Sequence, residues 1–403
     1  MLANPVERPA HVPGDLVRPY PIPFGGIMDG SPFDGTFQAL RNEPDIFYSM
    51  DAYPGGRPTW ILRRIADMRT VYLDNEHFST KDFAPFAQLV GETWSSMPVE
   101  TDPPMHGLYR SFVNPLFAPK AMAAMEDKIR LYARDYILSI KTKGHCEFLK
   151  DFAFEFPIKV FLEMMGLPLA KTAEFMAWEM DLLHNSDLNA IAAATRNVVT
   201  YLRGEIADRR VNPTDDIITY GVQGKVDGRP LTDDELVGFT FNLFIGGLDT
   251  VSTNMAWQFK HLATHPEDQA FLRANPGEIP KAIEELMRAY AAVTTYRTCI
   301  KPVTINGVAM LPGDKVAMAT PLAGRDSAEF DDPDTVRLDR RPRHVSFGYG
   351  IHTCVGMQLA NREMRIAMEE FLAEIPPFRI DPTVPERTLL GGMIQPESVP
   401  LVW

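Results

Sequence analysis

The sequence predicts a mainly α-helical protein with small β-sheets, an α+β chain, and three observations carry that reading. Apolar residues recur at spacings of three and four over long stretches of the 403 residues. One compact β region stands out at Lys301–Thr320, where Ile305-Asn306-Gly307 and Pro312-Gly313-Asp314 supply turn signals. The segment Arg325–Val345 is rich in Asp, Arg and Pro, has no periodicity, and reads as irregular wrapped chain.

Hydrophobic residues make up 45% of the chain and charged residues 23%, the balance of a folded soluble protein. Length alone suggests two or three domains. No repeat, low-complexity tract or compositional break marks a boundary, so the expectation is a single domain over 1–403, with a Pro/Gly-rich arm at 1–35 packed on it. The net charge of -13 argues against a nucleic-acid partner. Met1–Pro23 has no apolar run behind a basic end, and the most apolar stretch, Phe239–Leu248, is too short and Gly-rich to span a bilayer. A cytoplasmic location with no membrane partner is therefore expected. Three cysteines, Cys146, Cys299 and Cys354, are too few and too scattered for a disulfide framework or a cysteine-ligated cluster.

Three helices organise the rest. The first starts near Thr232, where Thr232 and Glu235 have capping-box spacing, and runs towards His265, with Pro266 ending it. It is apolar almost all round and should cross the interior. The second covers Glu278–Tyr290. The third begins just after Cys354 and carries Met357, Ala360, Met364, Ala367, Phe371 and Ile375 as one buried stripe, with Arg362, Arg365, Glu369 and Glu370 off it.

Before that third helix lies Phe347-Gly348-Tyr349-Gly350-Ile351-His352-Thr353-Cys354-Val355-Gly356. A cysteine at a helix mouth meets unpaired N–H groups and the positive end of the dipole, both of which favour the thiolate. Gly350 and Gly356 let backbone approach a flat group, and Phe347 can cover the sulfur. Taken alone, Cys354 would read as a small buried hydrophobe. The whole pattern resembles the haem-binding loop of the cytochrome P-450 superfamily. The resemblance implies that fold, with haem b buried between the long central helix and the cysteine-loop helix. It makes Cys354 the axial ligand of the haem iron, a thiolate that pushes electron density towards bound dioxygen.

In the first helix, Gly246-Gly247-Leu248-Asp249-Thr250 places two glycines mid-helix, at a cost of about 1 kcal/mol each, so something flat or bulky should pack there. Close helix packing, with Thr250 bonding back to its own helix, is the alternative. In the resembled family an acid–alcohol pair stands above the iron. By that resemblance Thr250 would hydrogen-bond the oxygen ligand and Asp249 would relay protons from solvent.

Glu285 and Arg288 are three apart on one helix face, by spacing an ordinary surface pair. The resemblance makes them structural, completed by Arg340. Haem propionates need cationic or N–H donors. The positions matching the family's donors are His106 and Arg110, one helical turn apart, with Arg297 and His352.

In these details the chain resembles most the bacterial camphor-hydroxylase branch. Trp94 stands where that branch has a substrate-facing tyrosine hydroxyl, and Asn242 puts an amide on the buried helix, so camphor is not the expected substrate. The pocket residues implied are Trp94, Ile245, Val293, Thr294 and Met393, with ordinary core packing as the alternative for each. They suit a small lipophilic molecule of terpenoid or norisoprenoid type. The implied reaction inserts one oxygen atom from O2 into a C–H bond. The branch implies electrons from a [2Fe–2S] ferredoxin and its reductase, with Arg110, Arg362 and Arg365 as a candidate basic patch for it. Two rivals remain, a peroxide-driven haem-thiolate peroxygenase and a non-enzymatic haem-based sensor.

Overall fold

The computed structural model describes residues 7–23, 25–81 and 86–403. Of the N-terminal arm, 1–6 and Phe24 lie outside the described residues. The chain forms two compact units, one drawn from 1–83, 284–354 and 386–397, the other from 84–283, 355–385 and 398–403.

The first unit is built on a five-stranded sheet. Its spatial order is Ile46–Tyr53, Arg57–Leu62, Lys315–Ala319, Thr294–Cys299 and Phe78–Ser79. The pair Arg57–Leu62 with Lys315–Ala319 is parallel, and the other pairings are antiparallel. Ile46-Phe47-Tyr48 and Trp60-Ile61-Leu62 are buried on both faces, which is why these strands read as continuous apolar runs with no alternation. Val12 of the arm is fully buried in the same core as Trp60, Leu62 and Val316. As expected from the turn signal, Val303–Ile305 and Val308–Met310 form a hairpin, with Asn306 and Gly307 at φ 45 and 81°. No helix longer than one turn and no strand forms across 325–349.

The second unit is helical. Its long helices include Glu126–Lys141, Thr172–Leu183, Leu188–Val211 and Met357–Glu374. The predicted helix from Thr232 is present but interrupted: Asp233–Leu248 and Thr250–Thr264 meet at Asp249, whose φ of -119° departs from the roughly -63° of a regular α-helix. Three local features account for the break. Two glycines precede it, the Thr250 hydroxyl donates to the Gly246 carbonyl at 3.1 Å, and the Asn254 amide takes the Thr250 carbonyl at 2.6 Å. Together Asp233–Thr264 is long and apolar enough to cross a membrane, with mean hydropathy 1.2, which Phe239–Leu248 alone did not suggest. Its most apolar window is 67% buried inside the protein, the environment of a core helix. Met357–Glu374 also departs from a single stripe: Leu359, Glu363, Ile366, Met368 and Glu370 are buried along with the expected face.

Candidate active site

In the cysteine loop, Gly348 and Gly350 take φ of 72 and 73°, a left-handed geometry open to glycine. The loop folds back so that the Cys354 amide donates to the Phe347 carbonyl at 2.8 Å and the Thr353 amide to that of Gly350 at 3.1 Å. Ser346 anchors the loop through a hydroxyl bond of 2.8 Å to the Met287 carbonyl. Cys354 stands just before Met357–Glu374 and is exposed, whereas Cys146 and Cys299 are buried. Burial pushes the Cys146 thiol up to about 12 and that of Cys299 to about 11, so neither is a thiolate near neutral pH.

The Glu285 and Arg288 side chains are both fully buried. The guanidinium grips the carboxylate through two bonds, of 2.8 and 2.7 Å, and also donates to the carbonyls of Gly324, Pro333 and Thr335. Arg340 reaches Glu285 Oε1 at 3.1 Å, and the Arg337 amide adds a bond of 2.9 Å to the same oxygen. These bonds tie the irregular segment, and hence the approach to the cysteine loop, to the helix Ile279–Ala289. The Arg337 amide leaves no mark in sequence, since any non-proline residue supplies one.

On the central helix, the accessible positions cluster around the two glycines. Gly246 is exposed and Asn242, Ile245, Gly247, Thr250 and Val251 are half-buried, whereas Phe241, Leu243, Phe244, Leu248 and Asp249 are buried. Gly247 packs against Phe161: a Cβ there would lie 2.4 Å from the ring. At Gly246 a Cβ would meet nothing within 4 Å. Asp249 is fully buried, its Oδ2 2.6 Å from His184 Nε2. Beside them lies Glu179, also without exposure. Glu179 and His184 were not legible in sequence, being far from Asp249 along the chain.

His106 is buried and Arg110 half-buried, one turn apart on Met105–Val113. Arg110 Nε donates to Asn114 at 2.7 Å. In the other unit, Arg297 sits on Thr294–Cys299 over the Tyr72 ring, and His352 ends the short turn Gly350–His352. Of the pocket residues, Val293 pairs with Met393 in a β-bridge and the Thr294 amide donates to the Gly392 carbonyl at 2.8 Å. Trp94 packs on Phe241, centroids 4.6 Å apart, one turn before Ile245. Its indole N–H donates to Glu92 at 2.7 Å, and Arg203 holds the same carboxylate with two bonds of 2.8 Å. The donor expected to face a substrate is thus engaged within the protein. Arg362 and Arg365 are likewise engaged, both paired with Glu126, with Arg365 also on Glu369.

The cytochrome P-450 family model matches residues 162–396. A probable cytochrome P-450 127A1 of Sinorhizobium fredii is 37% identical, over 99% of this chain and 97% of its own length. The chain belongs to the cytochrome P-450 family. A steroid C26-monooxygenase of Mycolicibacterium smegmatis is 31% identical over 76% of this P-450 and 79% of itself. The crystal structure of CYP101J2 superposes with a TM-score of 0.87 at 29% identity, covering 99% of this chain and 100% of that one. This P-450 is a monooxygenase, and its cofactor is haem b.

The residues present suit that group in sulfur, space and charge. Cys354 is the exposed residue of the three cysteines. Gly246 leaves mid-helix room that no side chain fills, although glycine there costs helix stability. His106 and Arg110 in one unit, and Arg297 and His352 in the other, carry N–H groups of the kind that carboxylates accept.

Proposed function

We propose that this P-450 inserts one oxygen atom from O2 into a C–H bond of a small lipophilic substrate of terpenoid or norisoprenoid type. Cys354 would hold the haem iron, and His106, Arg110, Arg297 and His352 the propionates, with Phe347 and Gly350 shaping the loop. Bound haem supplies the dioxygen chemistry, and the chain supplies ligand, pocket and proton path. The observation that carries the ligand assignment is the exposure of Cys354, against two buried thiols held far above neutral pH. Thr250, its oxygen still able to accept a bond, would stand at the reacting end of the proton path, with Asp249 behind it.

The substrate class rests on the pocket side chains. With the Trp94 N–H bonded to Glu92, the indole offers an apolar face, and Ile245, Val293 and Met393 are apolar as well, leaving Thr294 as the polar handle. Electrons would come from a [2Fe–2S] ferredoxin and its reductase in the cytoplasm. Arg362 and Arg365 lie in a network of four guanidinium groups (with Arg130 and Arg134) and three carboxylates, Glu126, Glu369 and Glu370. A docking patch there would be weakly basic, so a shallow salt dependence of reduction is expected. The deciding experiment screens terpenoids and norisoprenoids for the iron spin-state shift and analyses the products formed with ferredoxin, reductase and O2. A panel without a binder, or binders left unoxidised, would refute the substrate class.

A further inference from the structure

Asp249 carries more than its own carboxylate. One oxygen each of Glu179 and Asp249 and a ring nitrogen of His184 lie within 4.8 Å of one another. Glu179, on Thr172–Leu183, has no exposure, and neither of its oxygens accepts a bond from an N–H or hydroxyl donor. Asp249 Oδ2 lies 2.6 Å from His184 Nε2, and Oδ1 accepts the Thr253 hydroxyl at 3.2 Å. The His184 side chain is 8% exposed and stands in the turn after its helix, at the edge of the buried cluster.

Two buried carboxylates this close cannot both be charged. Burial and the neighbouring Asp249 hold Glu179 in its acid form well above the usual carboxylate range. Asp249 is the charged neighbour that acts on Glu179. A shared metal ion fits less well, because two ligands on one tetrahedral zinc lie roughly 3.3 Å apart. The 2.6 Å between His184 and Asp249 is instead the spacing of a charge-assisted hydrogen bond.

We propose that His184 is the proton carrier that recharges Asp249 from solvent, while Glu179, as a neutral acid, donates its O–H to Asp249 and holds it in place. The inference rests on the reading of Asp249 as a proton relay. Imidazolium gives its Nε2 proton to the Asp249 carboxylate, and Asp249 passes a proton on towards Thr250. The neutral imidazole keeps its Nδ1 proton, swings away from Asp249, regains a proton from water at Nε2 and returns, so each passage moves one proton inward and leaves the charges unchanged. Glu179 and His184 are positioning residues acting through Asp249.

Infrared spectroscopy of the holoenzyme tests the resting state. A buried carboxylic-acid C=O band is expected at pH 8 and is lost in Glu179→Gln; a band unchanged by that substitution overturns the assignment. So does a stoichiometric divalent metal removed by chelator. Transport is tested by hydrogen peroxide released per reducing equivalent, using a terpenoid that gives the spin-state shift. His184→Gln keeps a hydrogen-bond donor but carries no proton. Its product yield should fall roughly tenfold, less than loss of a positioned general acid costs, with an enlarged solvent isotope effect. Glu179→Ala removes that donor and should lower the product yield, and Glu179→Gln, whose amide can still donate to Asp249, should restore part of it. Wild-type yield and isotope effect in His184→Gln would overturn the carrier role. If Asp249→Asn is impaired while His184→Gln is not, this inference alone fails. If Asp249→Asn is itself unimpaired, the relay reading of Asp249 fails, and the infrared band still decides the state of Glu179.

Discussion

Arg288 and Glu285 meet through two hydrogen bonds of 2.7 and 2.8 Å with neither side chain exposed, so each neutralises a charge the interior could not otherwise hold. Arg288→Ala would leave Glu285 buried with only Arg340 and a backbone amide, and would release the carbonyls of Gly324, Pro333 and Thr335. A loss of about 3–5 kcal/mol is expected from urea denaturation. A loss below about 1 kcal/mol would show that the pair is not what holds the irregular segment.

Exposure separates the three cysteines. Cys354→Ala should bind little haem and lose the thiolate-dependent Soret band of the reduced, carbon-monoxide-bound protein. Cys146→Ala and Cys299→Ala should keep it, since both thiols are buried and protonated. Retention of the band in Cys354→Ala would refute the ligand assignment.

The two central glycines should behave differently. Gly247→Ala puts a methyl 2.4 Å from the Phe161 ring and should cost about 1–3 kcal/mol of fold stability. Gly246→Ala meets nothing within 4 Å and should stabilise the haem-free chain by up to about 1 kcal/mol while lowering haem or substrate occupancy. Thermal melts with and without haem measure both. Equal effects at the two positions would contradict this account.

Trp94→Phe tests whether the indole N–H serves the substrate. A direct bond to substrate is worth about 1 kcal/mol, or roughly fivefold in Kd. Because the N–H is bonded to Glu92, a change below about twofold in spin-shift titrations is expected.

A pH effect should appear at the start of the central helix. Arg229, with Tyr109 and the Thr232 amide, lowers Glu235 from 4.5 to about 2. Its folded-state pKa is depressed, so its contribution is full above about pH 4.5 and fades as pH falls towards 2. Glu235→Gln should therefore cost about 1 kcal/mol at pH 7, the scale of a lost cap, and nothing near pH 2. Denaturation curves at several pH values check this, and a difference independent of pH would refute it.

Much of this molecule was legible locally. The capping box at Thr232 and Glu235 forms both of its bonds, of 3.2 and 2.7 Å, and the hairpin turns at Asn306-Gly307. The cysteine loop and the helix after it could be read because each depends on residues within one or two turns of chain, whereas the Glu285–Arg288 spacing by itself read as a surface pair and only the family resemblance marked it as structural. The sequence by itself therefore determined the family, the cofactor and the elements that carry the site.

What it left open was decided by tertiary packing. Asp249 meets His184 across 65 positions, and Glu92, bonded to Trp94, meets Arg203 across 111. Spacing cannot encode such partners, because they depend on which helix faces which. The break at Asp249 follows from the Thr250 and Asn254 side chains competing for main-chain carbonyls, a contest that apolar periodicity does not register. Burial, likewise, sorted the cysteines: three similar letters became two buried thiols and one exposed residue because only the folded chain decides which residues meet solvent.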